Sequence, residues 1–224
     1  MSYIAVAIDG PSGAGKSTIA KMLARELGYM YVDTGALYRA IGLYMEQNGI
    51  AGADRKRVTA ALERIKLRLS YDENGFQRVY LNEKDVSEDL RTPRIAKYAS
   101  EVSAIPEVRD FLLEIQRDMA RQDNVIMDGR DIGTVILPDA EVKIFLTASA
   151  QARAYRRYQQ LRQKGQTVSE ASVLEDMMQR DRKDADRAAA PLKQAEDAVL
   201  VDTSNLSLEE SVRRIRHIIE TKLS

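Results

Sequence analysis

Continuous apolar runs alternate with helix-spaced apolar positions along most of this chain. Tyr3-Ile-Ala-Val-Ala-Ile8 is apolar throughout and ends at Asp9-Gly10, the pattern of a strand buried on both faces. From Thr18 to Leu27 the apolar residues fall at Ile19, Met22, Leu23 and Leu27, one face of a helix, and Gly28 supplies a stop. Tyr29-Met-Tyr-Val32 predicts a second strand closed by Asp33-Thr34-Gly35, and a helix is expected from about Ala36 to Asn48, ended by Gly49. Val125-Ile-Met127, Val142-Lys-Ile-Phe-Leu146 and Val199-Leu-Val201 read as three further core strands. A basic helix over Ser149 to Gln163 ends near Gly165, another covers Ser169 to Asp181, and Ser207-Leu-Glu-Glu210 is a capping box that opens the last helix. Five apolar strands alternating with helices predict an α/β fold with a parallel sheet covered on both faces.

The middle of the chain departs from that rhythm. Asp54 caps a helix expected over Arg55 to Ile65. Lys66 to Tyr71 and Phe76 to Leu81 then alternate at period two, with Asp72-Glu-Asn-Gly75 as a hairpin turn between them. A small antiparallel, β-rich insert over residues 66–90 is therefore expected within the alternating frame. Thr92-Pro93 fits a cap followed by proline at the first helical position, leading into helices from about Arg94 to Ser103 and Glu107 to Gln122.

Composition narrows the chemistry. The 224 residues suffice for a single domain with a sizeable core. Lys plus Arg equals Asp plus Glu at 34 each, so the basic excess of a general nucleic-acid binder is missing and no nucleic-acid partner is expected. With no cysteine there are no disulfides, thiolate metal sites or Cys nucleophiles, and the single His217 rules out a histidine triad or a multi-histidine zinc site. His217 itself is expected on the surface of the last helix. Neither a signal peptide nor an apolar run of about 18 residues is visible, so the chain is expected to be cytoplasmic, off the membrane and monomeric.

The strongest local signal is Gly10-Pro11-Ser12-Gly13-Ala14-Gly15-Lys16-Ser17, followed by Thr18. It matches the phosphate-binding G-x-x-x-x-G-K-S/T pattern at every fixed position, after a buried strand and before a helix. Glycines let successive N–H groups curl inward toward phosphate oxygens, and the helix start adds its positive dipole end. Lys16 is expected at the β- and γ-phosphates, and the Ser17 hydroxyl on Mg²⁺. No base-reading N-K-x-D of a GTPase is found, only Asn82-Glu-Lys-Asp85 with the lysine displaced, and L-S-G-G-Q is absent. Small kinases remain.

Phosphoryl transfer needs charge neutralisation and in-line placement more than covalent help. Arginines should therefore gather at the carboxyl ends of the strands, where open parallel sheets bind ligands. Arg39 follows strand two, and Arg130 lies in Asp128-Gly-Arg-Asp-Ile-Gly-Thr134 at the end of strand three. Asp128 resembles the carboxylate that supports Mg²⁺ through water in enzymes with this loop. Arg153, Arg156 and Arg157 share one side of the basic helix, and residues 149–165 read as a helical lid whose arginines close over a triphosphate and exclude water. A second dense charge run, Arg180 to Arg187, follows the next helix and suits a site that binds a sugar and a phosphate.

Taken together, Gly10 to Thr18, Asp33-Thr-Gly-Ala-Leu-Tyr-Arg39, Asp128-Gly-Arg-Asp-Ile-Gly-Thr134 and Arg187-Ala-Ala-Ala-Pro-Leu192 resemble the bacterial cytidylate kinases over nearly the whole chain. The resemblance implies a P-loop kinase core with a five-stranded parallel sheet flanked by helices, the small β-rich insert and the helical lid. It implies a nucleoside-monophosphate-binding region over residues 33–123. The implied reaction passes the terminal phosphoryl group of ATP to CMP or dCMP with Mg²⁺. Lys16, Arg130, Arg153 and Arg157 would act in catalysis. Thr34, Arg39 and Arg130 would approach the CMP phosphate, with Tyr38, Asp128 and Gly129 in the same substrate-binding segments. Ser100, Arg109, Asp131 and Arg187 would read cytosine, and Arg180 and Asp184 the sugar.

Base chemistry agrees with that assignment. A carboxylate such as Asp131 can accept from the cytosine N4 amino group, while Arg and Ser donate to N3 and O2. Uracil would set a carbonyl against the carboxylate. Kinases for UMP, AMP or a non-nucleotide metabolite remain the alternatives within the class. A nucleotide-regulated switch or RNA-binding module remains the alternative outside it.

Overall fold

The alternating frame folds as a sheet of five parallel strands in this computed structural model, which describes residues 3–73, 75 and 77–224. In chain order the first half comprises β1 (Ala5–Asp9), α1 (Lys16–Leu27), β2 (Met30–Asp33), α2 (Thr34–Gln47) and α3 (Arg55–Leu62). Next come β3 (Leu67–Tyr71), β4 (Gln77–Leu81), β5 (Lys84–Asp85), α4 (Pro93–Val102) and α5 (Pro106–Gln122). The second half holds β6 (Val125–Gly129), β7 (Val142–Thr147), α6 (Ala150–Gln163), α7 (Glu170–Ala185), β8 (Val199–Asp202) and α8 (Leu208–Leu223). The main sheet runs in the order β2-β6-β1-β7-β8, so β1 and β6 lie inside it with every residue buried.

Alternation along β1 sorts the core. Val6 and Ile8 face α1 and α8, packing with Ile19, Leu23, Val212, Ile215 and Ile219. Ala5 and Ala7 face the opposite way and pack with Val125 and Met127 of β6 and with Ile132 and Ile136. Those two isoleucines bound a π-helical turn, Ile132–Ile136, that the sequence pattern did not predict. Small side chains at Ala5 and Ala7 leave room for that turn to lie close to the sheet. A separate apolar cluster holds α2, α3, α4, α5 and the insert strands together.

The insert forms as expected, with β3 and β4 antiparallel, but gains a third short strand, β5. The Gly75 amide donates to the Asp72 carbonyl at 2.9 Å, as a turn there requires. Asn74 and Phe76, which belong to the expected turn and strand, lie outside the described residues. β2 is an outer strand of the main sheet, and insert side chains satisfy part of its edge. The Tyr71 hydroxyl donates to the Tyr31 carbonyl at 2.9 Å. Gln77 Oε1 accepts from the Asp33 amide at 2.8 Å, and its Nε2 donates to the Asp33 carbonyl at 3.3 Å.

Helix limits correct three expectations. α2 begins at Thr34 because the Asp33 carboxylate caps it through the Ala36 amide. α3 stops at Leu62, short of Ile65. α7 continues to Ala185, so Arg180 and Asp184 sit on a helix and not in a loop after one. The segment expected as a lid, 149–165, contains α6, which packs on α7 through Ala154, Leu161, Val173 and Met177. The two helices thus share a small core of their own. Among the described residues no helix is long and apolar enough to cross a membrane, and His217 is exposed on α8.

Candidate active site

β1 runs into the loop Gly10 to Gly15, and the backbone turn that follows only glycine permits. Gly10 has φ 147°, and a Cβ there would lie 1.9 Å from the Leu146 carbonyl oxygen of β7. At Gly13, with φ 76°, a Cβ would lie 2.5 Å from Met177 Cε, so α7 packs directly over the loop. Gly15 precedes α1 without any side-chain cap, leaving the first amides of the helix facing the loop's concavity. Lys16 is only 5% exposed, and its ammonium donates to the Pro11 carbonyl at 2.7 Å. Burial, then the charge of Arg130, lowers its pKa, while Asp128 and Asp9 pull the other way.

Three strand ends converge beside this loop. Asp128, near the end of β6, is buried and accepts from the Ser17 hydroxyl at 2.8 Å and from the Tyr31 hydroxyl at 2.7 Å. Burial, then the charge of Asp33, raises its pKa. Ser17 and Asp128 therefore pair two hard oxygen ligands. Such a set fits Mg²⁺, which takes one or two protein oxygens and completes its shell with water and phosphate. Thr34 is buried and donates to the Asp128 carbonyl at 2.9 Å, which ties the start of α2 to the end of β6.

Around these groups stand guanidinium groups that repel one another. Arg39 pairs with Asp33 at 2.7 Å, while its Nε is buried without a partner. Arg130 pairs with Asp184 at 2.9 Å. Arg180 also has a buried, unpartnered Nε, and burial followed by the charges of Arg130 and Arg39 pushes its pKa down to about 10. Buried donors and mutually repelling cations are costly unless an anion joins them. The cluster beside Lys16 is thus built for a polyanion.

Asp131, next to Arg130 in the chain, lines a cavity of about 210 Å³ together with Tyr38, Arg109, Leu113, Gln116 and Ala190, among others. Arg109 pairs with Asp131, donates to the Ser103 carbonyl at 3.2 Å, and lies 5.5 Å from the centre of the Tyr38 ring. Burial pushes the Tyr38 phenol up to about 12, so it stays neutral at physiological pH. Arg187 donates to the Ala190 carbonyl at the rim, and burial, then the charge of Arg109, lowers its pKa. A cavity with a carboxylate, an arginine and a tyrosine suits a ring with both hydrogen-bond donors and acceptors.

A profile of the cytidylate kinase family matches residues 6–221. The chain is 48% identical to a cytidylate kinase of Caldicellulosiruptor bescii over 96% of its own length and 95% of the relative's. It is 47% identical to one of Carboxydothermus hydrogenoformans over 97% of both chains. The chain belongs to the cytidylate kinase family. Among solved structures, an uncharacterized protein from Eubacterium ventriosum shares the fold, with a TM-score of 0.54 at 13% identity over 97% of this chain and 99% of that one.

Most of the residues singled out from sequence lie together. Lys16, Ser17, Thr34, Arg39, Asp128, Gly129, Arg130, Arg180 and Asp184 surround the polyanion cluster, and Tyr38, Arg109 and Asp131 the cavity. The three lid arginines do not act as one face. Arg153 is buried and donates to the Ser12 carbonyl at 3.0 Å while pairing with Asp181 at 2.7 Å. Arg156 turns to Thr203, and Arg157 is exposed beside Gln160. Ser100 is half-buried on α4 and does not line the cavity. Sequence reasoning missed Tyr31, Gln77 and Gln116. It also missed Asp9, whose signal was a carboxylate ending a buried strand one residue before the loop.

Proposed function

We propose that this chain transfers the γ-phosphoryl group of ATP to CMP and dCMP, giving ADP and CDP or dCDP. The reading rests on one juxtaposition: a glycine loop whose buried lysine lies by Arg130, and a carboxylate–arginine cavity lined by Asp131, the next residue in the chain. An oxygen of the CMP phosphate attacks the γ-phosphorus in line. The bond from that phosphorus to the β,γ-bridging oxygen breaks, and its electrons leave on ADP. The acceptor oxygen is already ionised near neutral pH, so no general base is required. Gly10 to Thr18 hold the donor phosphates, Lys16 balances charge at the β- and γ-groups, and Arg39, Arg130 and Arg180 balance it at the transferring and accepting groups. Arg153, and Arg157 after closure of α6, would complete the donor side and exclude water.

Ser17 and Asp128 would hold Mg²⁺, which supplies charge neutralisation between the phosphates when bound. Among the described residues no cluster of three or more His, Cys, Asp or Glu could hold a metal ion. Asp131 and Arg109 read cytosine, with Arg187 at the rim, and Arg180 and Asp184 reach the sugar. An assay of ADP release with CMP, dCMP, UMP and AMP in turn tests the reading. CMP and dCMP should support turnover well above UMP and AMP; equal rates with UMP, or none with CMP, would reject it.

A further inference from the structure

Asp9 ends β1 immediately before Gly10, yet the transfer chemistry has no use for it. Its side chain is buried and reaches the turn that follows Asp131. Oδ1 accepts from the Ile132 amide and Oδ2 from the Gly133 amide, both at 2.8 Å. These amides open the π-helical turn that follows Asp131, so a carboxylate more than 120 residues away in sequence caps that turn.

Asp131 itself occupies the cap position of the turn but makes no side-chain cap bond. An aspartate there ordinarily folds back onto the amides two or three residues ahead. In this protein Asp9 already occupies the nearer of these, the Gly133 amide, and the Asp131 carboxylate turns instead to Arg109 and the cavity. Were Asp9 unable to accept, the Gly133 amide would be left buried without a partner, and the nearest replacement would be Asp131.

We propose that Asp9 is a positioning residue for acceptor specificity: by capping the turn in place of Asp131, it frees the Asp131 carboxylate to read the base. The inference rests on the reading that CMP is the acceptor. Asp9→Asn keeps the shape but presents an amide N–H₂ to one of the two backbone donors. The KM for CMP should rise about tenfold, the worth of one buried charge-assisted bond, while the KM for ATP stays unchanged. The CMP-over-UMP ratio of kcat/KM should fall to that of Asp131→Asn, and the double variant should be no less selective than either single one. An unchanged ratio, additive losses, or parallel rises in both KM values would overturn the proposal, since a merely structural defect has no reason to single out the base.

Amide exchange in the wild-type protein gives a second measurement that needs no variant to fold. Ile132 and Gly133 should exchange as slowly as β1, and exchange at the rate of an open turn would remove the cap and the proposal with it. If the wild type phosphorylates no CMP, the functional reading fails separately, whatever the exchange rates.

Discussion

In the proposed function Lys16 serves the donor and Asp131 the acceptor, so the two should fail differently when altered. Lys16→Ala removes a buried cation from the donor phosphates without opening the apolar core, so kcat should fall by about a hundred- to a thousandfold while thermal stability is retained. Near-normal turnover would exclude Lys16 from the reaction. Asp131→Asn should spare ATP binding and narrow the CMP/UMP preference by about 1–3 kcal/mol, read as the ratio of kcat/KM values. Asp9 makes a prediction about pH. Burial raises its pKa from 3.8 to about 6; the Gly133 and Ile132 amides and Lys16 oppose that rise, and Asp131 adds to it. The folded protein therefore takes up this proton before the unfolded chain does, so Asp9 weighs least against folding below its folded pKa. Between pH 7 and 5 the unfolding free energy of the wild type, relative to Asp9→Asn, should increase by about 1 kcal/mol. A flat or decreasing difference in chemical denaturation would contradict the shifted carboxyl.

Single elements show what the sequence could and could not tell. The strands of the main sheet and the glycine loop were legible because their signals are local: an apolar run, a fixed motif, a capping pair. α7 was underestimated because Arg180 to Arg187 is dense in charge and looks like a loop. Val173 and Met177 nevertheless pack on α6, and Asp184 on the helix pairs with Arg130 from outside it. The π-helical turn after Asp131 was illegible, since its shape depends on a carboxylate supplied by β1. So was the division among Arg153, Arg156 and Arg157, whose helical spacing is the same whether they share a target or not. The insert is legible as a hairpin, but its attachment is not, because Tyr71 and Gln77 are ordinary strand residues. Gln77→Ala should leave two backbone groups of Asp33 without that partner and loosen the Asp33–Arg39 pair, raising the KM for CMP several-fold with little change for ATP. An equal effect on both substrates would mean that the insert supports the fold in general and not the acceptor side.

At the scale of the whole molecule, the donor loop rests on one apolar cluster, the acceptor region on another, and the α6–α7 pair on a third. Ligands that bridge these bodies should stabilise more than ligands that occupy one. CMP alone at about a hundred times its Kd should add about 2.7 kcal/mol to stability, and CMP with a non-hydrolysable ATP analogue should exceed the sum of the two separate increments, measured by thermal unfolding. Strict additivity would argue that the bodies do not close on one another.

The position of β6 has a consequence for how such an enzyme can change. It lies between β1 and β2, and its last residues give a carboxylate acceptor to the Ser17 hydroxyl, a carbonyl acceptor to Thr34 and the root of Arg130. On the proposed reading, donor grip and acceptor grip thus hang from one strand tip. A one-residue insertion within Val125–Gly129 would exchange the faces of Met127 and Asp128 and misalign both grips at once. Substrate range in such a scaffold is free to drift through the cavity walls, but not through this shared strand tip.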